Sequence, residues 1–185
     1  MNTTSDSAVA EASESGPSAG EPDQPPEPES ARTPDGLHLE CAPDAPSVDL
    51  PWIERQIRAV IALLEEPVER VSIRLVGDPE MATLHVRHMG IDGPTDVLTF
   101  PASEAGAPIE VDVAIGAAYA ARSAEERGIT VEREILLYAV HALLHVSGYD
   151  DHDPYDFERM HAREDELLRA IGVGAIFRPD GEGAE

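Results

Sequence analysis

Val131-Glu-Arg-Glu-Ile-Leu-Leu-Tyr-Ala-Val-His141-Ala-Leu-Leu-His145-Val-Ser-Gly148-Tyr-Asp-Asp-His152 is the stretch around which the rest of the chain can be read. From 131 to 147 it is apolar on nearly every side, through Ile135, Leu136, Leu137, Val140, Leu143 and Leu144, so it is expected to form a helix buried at the centre of the fold. Thr130 stands where an N-cap belongs. Near the far end His141 and His145 are four residues apart, and at 3.6 residues per turn both rings leave the same face. One buried histidine needs no ion. Two of them, followed by Gly148 and then Asp-Asp-His, are better explained by a bound metal, because burying polar rings without partners costs about 1–3 kcal/mol per group. Gly148 lets the chain double back and bring Asp151 or His152 within reach as a third ligand. A fourth tetrahedral position is then left for water, as in catalytic zinc sites.

Outward from this helix the pattern alternates between helix and strand. Pro51 opens a helix to about residue 64, with Trp52, Ile53, Ile57, Val60, Ile61 and Leu64 at helical spacing, after a short extended piece at 47–50. Val68–Val76 is β-branched and alternating, a strand. A helix starts at Asp78-Pro79 and runs to about His88. Strands are expected at 96–100, ended by Pro101, and at 109–115, where Ile109, Val111, Val113 and Ile115 alternate with acids. Helices follow at 117–127, stopped by Gly128, and at 154–170. The expected fold class is α+β: a small mixed sheet of about four strands packed with about five helices, the metal-bearing helix central.

The 185 residues allow one domain with a real core. Residues 1–46 hold ten carboxylates against Arg32 and little that could form a core, so they are expected to be a disordered acidic tail. The folded domain is expected over 47–172 and a flexible acidic C-terminus over 173–185. There is no secretory signal pattern and no membrane-length apolar run. The single cysteine, Cys41, has no partner, and a cytoplasmic location is expected. The net charge of -24 leaves even the domain strongly acidic, which argues against broad non-specific affinity for nucleic acid. All thirteen basic residues are arginines.

Glu134 and Tyr138 share the face of His141 and are candidates to bond its ring; for Glu134, a favourable charge in the first helical turn is the preferred reading. Peptidases with two helical histidines at this spacing carry a glutamate after the first, acting as general base; here that position is Ala142, which disfavours peptide hydrolysis. A metal-activated hydroxide attacking a polarised ester is the simplest remaining chemistry.

Thr95-Asp-Val-Leu-Thr-Phe-Pro101, a later strand, and then His141-x-x-x-His145-x-x-Gly148-Tyr149-Asp150 resemble, in content and order, the YbeY family of bacterial single-strand-specific endoribonucleases. The resemblance spans roughly 48–170 and takes in Arg133-Glu134 ahead of the histidine pair and Met160 and Glu166 after it. It implies a zinc-dependent phosphodiesterase acting on single-stranded or ribosomal RNA during ribosome maturation, in the company of a ribosomal protein or the small subunit. Two positions depart from the family pattern. The family has a third histidine six residues after the second, where this chain has Asp151, with His152 one later. Spacing favours Asp151 and ligand softness favours His152, so one zinc ion is expected on His141, His145 and one of these two, Asp151 slightly preferred. The family also carries an arginine where this chain has Met89, which leaves Arg87, two residues earlier, as the expected phosphate contact. The alternatives are a ribosome-assembly factor with a closed, structural metal site, and a metallopeptidase.

Overall fold

The computed structural model describes residues 36–104 and 106–177. Residues 1–35 of the expected tail and 178–185 of the expected C-terminal extension lie outside the described residues. In chain order the elements are β1 (Leu37–Cys41), α1 (Leu50–Ile61), β2 (Val68–Val76), α2 (Asp78–Met89), β3 (Val97–Pro101), β4 (Ile109–Gly116), α3 (Ala117–Arg127), α4 (Val131–Val146) and α5 (Pro154–Ala170). The sheet order is β1-β2-β4-β3, with β1, β2 and β4 parallel and β3 antiparallel at the edge. This is the mixed sheet and the α+β class that the sequence predicts.

Alternation along β2 and β4 separates the two faces of the sheet. Val71, Ile73 and Leu75 lie beside Val111, Val113 and Ile115 in register, and all six are buried on one face. The reverse face carries charge pairs: across strands Arg70 on Asp112 at 2.5 Å and Arg74 on Glu40, and from β2 to α2 Arg74 on Glu80. Also on that face, Met81 of α2 packs with Ala42, Val76, Leu98 and Ala114 in a second small cluster. The apolar face is covered by α1 and α4. α4 meets β3 and β4 as well as α1, α3 and α5, which is why its sequence has no polar stripe. Ile135, Leu136 and Leu143 are fully buried, each contributing about 1.5–3 kcal/mol of transfer free energy.

Three expected boundaries need correction. β1 lies inside the stretch assigned to the acidic tail: Leu37–Cys41 pairs with the free edge of β2, and the supporting backbone bonds come from a strand some thirty residues away, so local composition does not reveal them. Gly36 precedes it because a Cβ there would meet the Glu69 carbonyl oxygen at 2.0 Å. The extended piece expected at 47–50 ends one residue early: Leu50 already belongs to α1, which Asp49 caps, its carboxylate accepting the Trp52 N–H at 3.0 Å. At the other end Ala175 and Ile176 are buried, and the Asp165 carboxylate accepts the N–H groups of Ile176 and Phe177 at 2.9 and 3.0 Å. The ordered chain therefore continues past residue 172. No helix among the described residues is long and apolar enough to cross a membrane.

Candidate metal centre

α4 ends where its cap geometry requires. Gly148 adopts φ +90°, a left-handed conformation, and donates its N–H to the His145 carbonyl at 3.1 Å. The Tyr149 N–H reaches back to the Leu144 carbonyl at 3.0 Å. This reversal carries Asp151 underneath the two histidines. The Nε2 atoms of His141 and His145 face each other at 3.1 Å, and the two Asp151 carboxylate oxygens stand 3.8 Å from them, Oδ2 from His141 and Oδ1 from His145. His152 is not brought in: its side chain is 84% exposed and pairs with Asp150 at the surface.

The opposite ring nitrogens fix the tautomers. His145 donates its Nδ1–H to the Tyr149 carbonyl at 3.1 Å, an oxygen that can only accept. His141 donates its Nδ1–H to Glu164 Oε1 at 2.8 Å. In the neutral state both Nε2 atoms therefore present lone pairs to one another, with a carboxylate alongside. Such an arrangement lacks an electrophile, and a metal ion would supply one. Nitrogen ligands of a tetrahedral zinc at ~2.0–2.1 Å from the ion stand about 3.3 Å apart, close to the separation found here. The donor set, two imidazoles and a carboxylate, fits that ion.

Glu164 was not singled out by the sequence reading. It comes from α5, is buried, and accepts a second N–H, from His161 Nδ1 at 2.6 Å on its other oxygen. Phe177 lies flat against His161, ring centroids 3.7 Å apart and planes within 5°. Each group in this row is held by the next. On His141, burial acts to lower the pKa, but the hydrogen bond it donates to Glu164 and the charges of Glu164, Asp151 and Asp96 outweigh it, and the imidazole pKa sits above its ordinary value. His141, His161 and Glu164 also come together as potential ligands, but the Nδ1 atoms of both rings are already committed to the carboxylate.

Asp96 accepts from Thr95 Oγ1 and from the Val97 N–H at 2.9 and 2.8 Å, tying down the turn before β3. Glu134, fully buried, approaches Arg127 Nη1 at 3.5 Å and bonds no histidine ring. Burial pushes the Tyr138 phenol up. Arg87 is exposed near the end of α2, while its neighbours His88 and Met89 line a hollow of about 560 Å³ that reaches His141, His145 and Asp151 along the edge of β3. A smaller hollow of about 230 Å³ shares Asp96, His141 and Asp151 with it and is lined in addition by Arg127, Glu164 and Phe177. Arg87 lines neither. Arg127, just before Gly128 at the end of α3, carried no sequence signal beyond its charge.

Residues 44–172 match the family described as "Endoribonuclease YbeY". A protein of that name from Anaeromyxobacter sp. is 42% identical over 126 residues, covering 66% of this chain and 66% of its own length. Another from Thermobifida fusca is 42% identical over 116 residues, 58% of this chain and 75% of its own. The solution structure of TM1509 from Thermotoga maritima shares the fold, with a TM-score of 0.51 at 22% identity over 80% of this chain and 99% of that one. The family match takes in α1 to α5 and every residue of the histidine cluster, and on that evidence the chain belongs to the YbeY endoribonuclease family.

Proposed function

We propose that this chain is a zinc-dependent, single-strand-specific endoribonuclease of ribosomal RNA processing and ribosome maturation, acting in the cytoplasm, with His141, His145 and Asp151 holding the metal. The observation that carries the reading is the pair of Nε2 lone pairs facing each other beside the Asp151 carboxylate, in a hollow large enough for substrate. When bound, zinc supplies Lewis acidity toward a phosphoryl oxygen and makes water a stronger acid. The chain does the positioning. Glu164 and the Tyr149 carbonyl hold the two rings in the tautomer that offers Nε2, and Asp151 adds a negative charge that moderates the acidity of the site relative to three neutral imidazoles.

His152 is turned to solvent, so it supplies no fourth ligand and leaves room for water. This favours a catalytic site over a closed, structural one. Ala142 in place of the peptidase glutamate speaks against peptide hydrolysis. The acidity of the domain implies weak binding to free RNA, with docking supplied by a ribosomal protein or the small subunit. The test is to incubate the zinc-loaded chain with a single-stranded RNA and with casein, beside His141→Ala. RNA cleavage that disappears in the variant is expected. Full metal retention with no cleavage of either substrate would sink the reading in favour of an assembly factor.

A further inference from the structure

The centre just described has a charge problem. The residues that line its two hollows include Asp96, Asp151 and Glu164, and the substrate class is a polyanion. Among the described residues lining either hollow, Arg127 is the one arginine, and the chain has no lysine. Its commitments differ from those of other arginines in the domain. Arg58, Arg70, Arg74, Arg122, Arg159 and Arg163 each hold a carboxylate within 3.2 Å. Arg127 has a single, longer contact, Nη1 to Glu134 at 3.5 Å, and its side chain is 42% exposed. Glu134 is fully buried, so this contact restrains the guanidinium from behind while most of its five N–H donors stay available.

We propose that Arg127 binds a backbone phosphate of the RNA, next to the scissile one, in the smaller hollow. The two hollows meet at Asp96, His141 and Asp151, so a strand whose reacting phosphate lies at the histidine cluster runs into both. The planar guanidinium suits phosphate oxygens in a bidentate contact, which an exposed Arg87 outside both hollows does not offer. Arg127 is a substrate-binding residue in this scheme and touches neither the metal ligands nor the reacting atoms.

The inference rests on the endoribonuclease reading, and the test separates the two. Arg127→Gln and Arg127→Lys are compared with the unaltered chain on a labelled single-stranded oligoribonucleotide over a series of salt concentrations, with zinc content and melting temperature measured on each. For Arg127→Gln, KM is expected to rise about tenfold with kcat within about twofold, zinc content unchanged, and the slope of log kcat/KM against log salt to fall by about 0.7, the loss of one phosphate contact on a single strand. Arg127→Lys keeps the charge and loses the fork, so its salt slope stays and its KM rises about threefold; it decides the matter if the glutamine variant does not fold. Unchanged KM and salt slope in variants of an active enzyme would overturn the role of Arg127 alone. An unaltered chain that binds zinc and cuts no RNA would overturn the parent reading, and this one with it.

Discussion

The histidine cluster is held on two sides by regions of opposite character. On the inner side Glu164, Asp165 and His161 of α5 are buried polar groups. Each has a polar partner: Glu164 the two imidazoles, Asp165 the backbone of Ile176 and Phe177, and His161 the Glu164 carboxylate, with Phe177 stacked on its ring. On the outer side Asp150, Asp151 and His152 lie on a loop, their side chains 53%, 32% and 84% exposed. His152 is as good a donor as His141 in chemical type. It is excluded by position: its Nδ1 also has a carboxylate partner, Asp150, but that pair lies at the surface, whereas the acceptors of His141 and His145 hold those rings with their Nε2 atoms facing each other. Where the acceptor of the second nitrogen sits selects the ligand.

Substitutions on the two sides are therefore expected to have unequal effects. The largest is expected inside: Glu164→Gln leaves one carbonyl oxygen for two imidazole N–H groups, and zinc affinity measured by chelator competition should fall 10- to 100-fold. Unchanged affinity would remove the inner side from the account. Phe177→Ala acts one step further away, through His161; a loss of roughly threefold, smaller than that from Glu164→Gln, is expected with the apo protein still folded by circular dichroism. A larger loss than that of Glu164→Gln would reverse the proposed order. His152→Ala on the outer side should leave zinc affinity and RNA cleavage within about twofold of the unaltered chain, and a tenfold weakening would show that the loop rearranges to place this ring on the metal.

Much of this was legible in the sequence, for reasons that can be named. α4 is surrounded by packed elements, and an all-round apolar run says so directly. The pair His141 and His145 follows from helical geometry, and the bend at Gly148 from the need for a left-handed residue at the helix end. β1 was hidden because its partner is distant in sequence and its stretch is rich in acids and prolines. Glu164 was hidden for a related reason. It sits among Arg163, Asp165 and Glu166 in a charged run of α5, and only the packing of α5 on α4 distinguishes the buried carboxylates from Glu166, which is 66% exposed. Phe157 lies at the margin of the core, 36% exposed and edge-on to His161. Arg127 has no periodic or motif signature, since its relevance comes from how α3 delivers it to the smaller hollow.

The choice between Asp151 and His152 is the centre of the account, and zinc K-edge X-ray absorption on the metal-loaded full chain tests it directly by counting imidazole scatterers around the ion. Two imidazoles, with the rest of the shell made of oxygen from Asp151 and solvent, is the predicted result. Three imidazoles would contradict it, placing His152 on the metal and dissolving the contrast between the buried and exposed sides of the site.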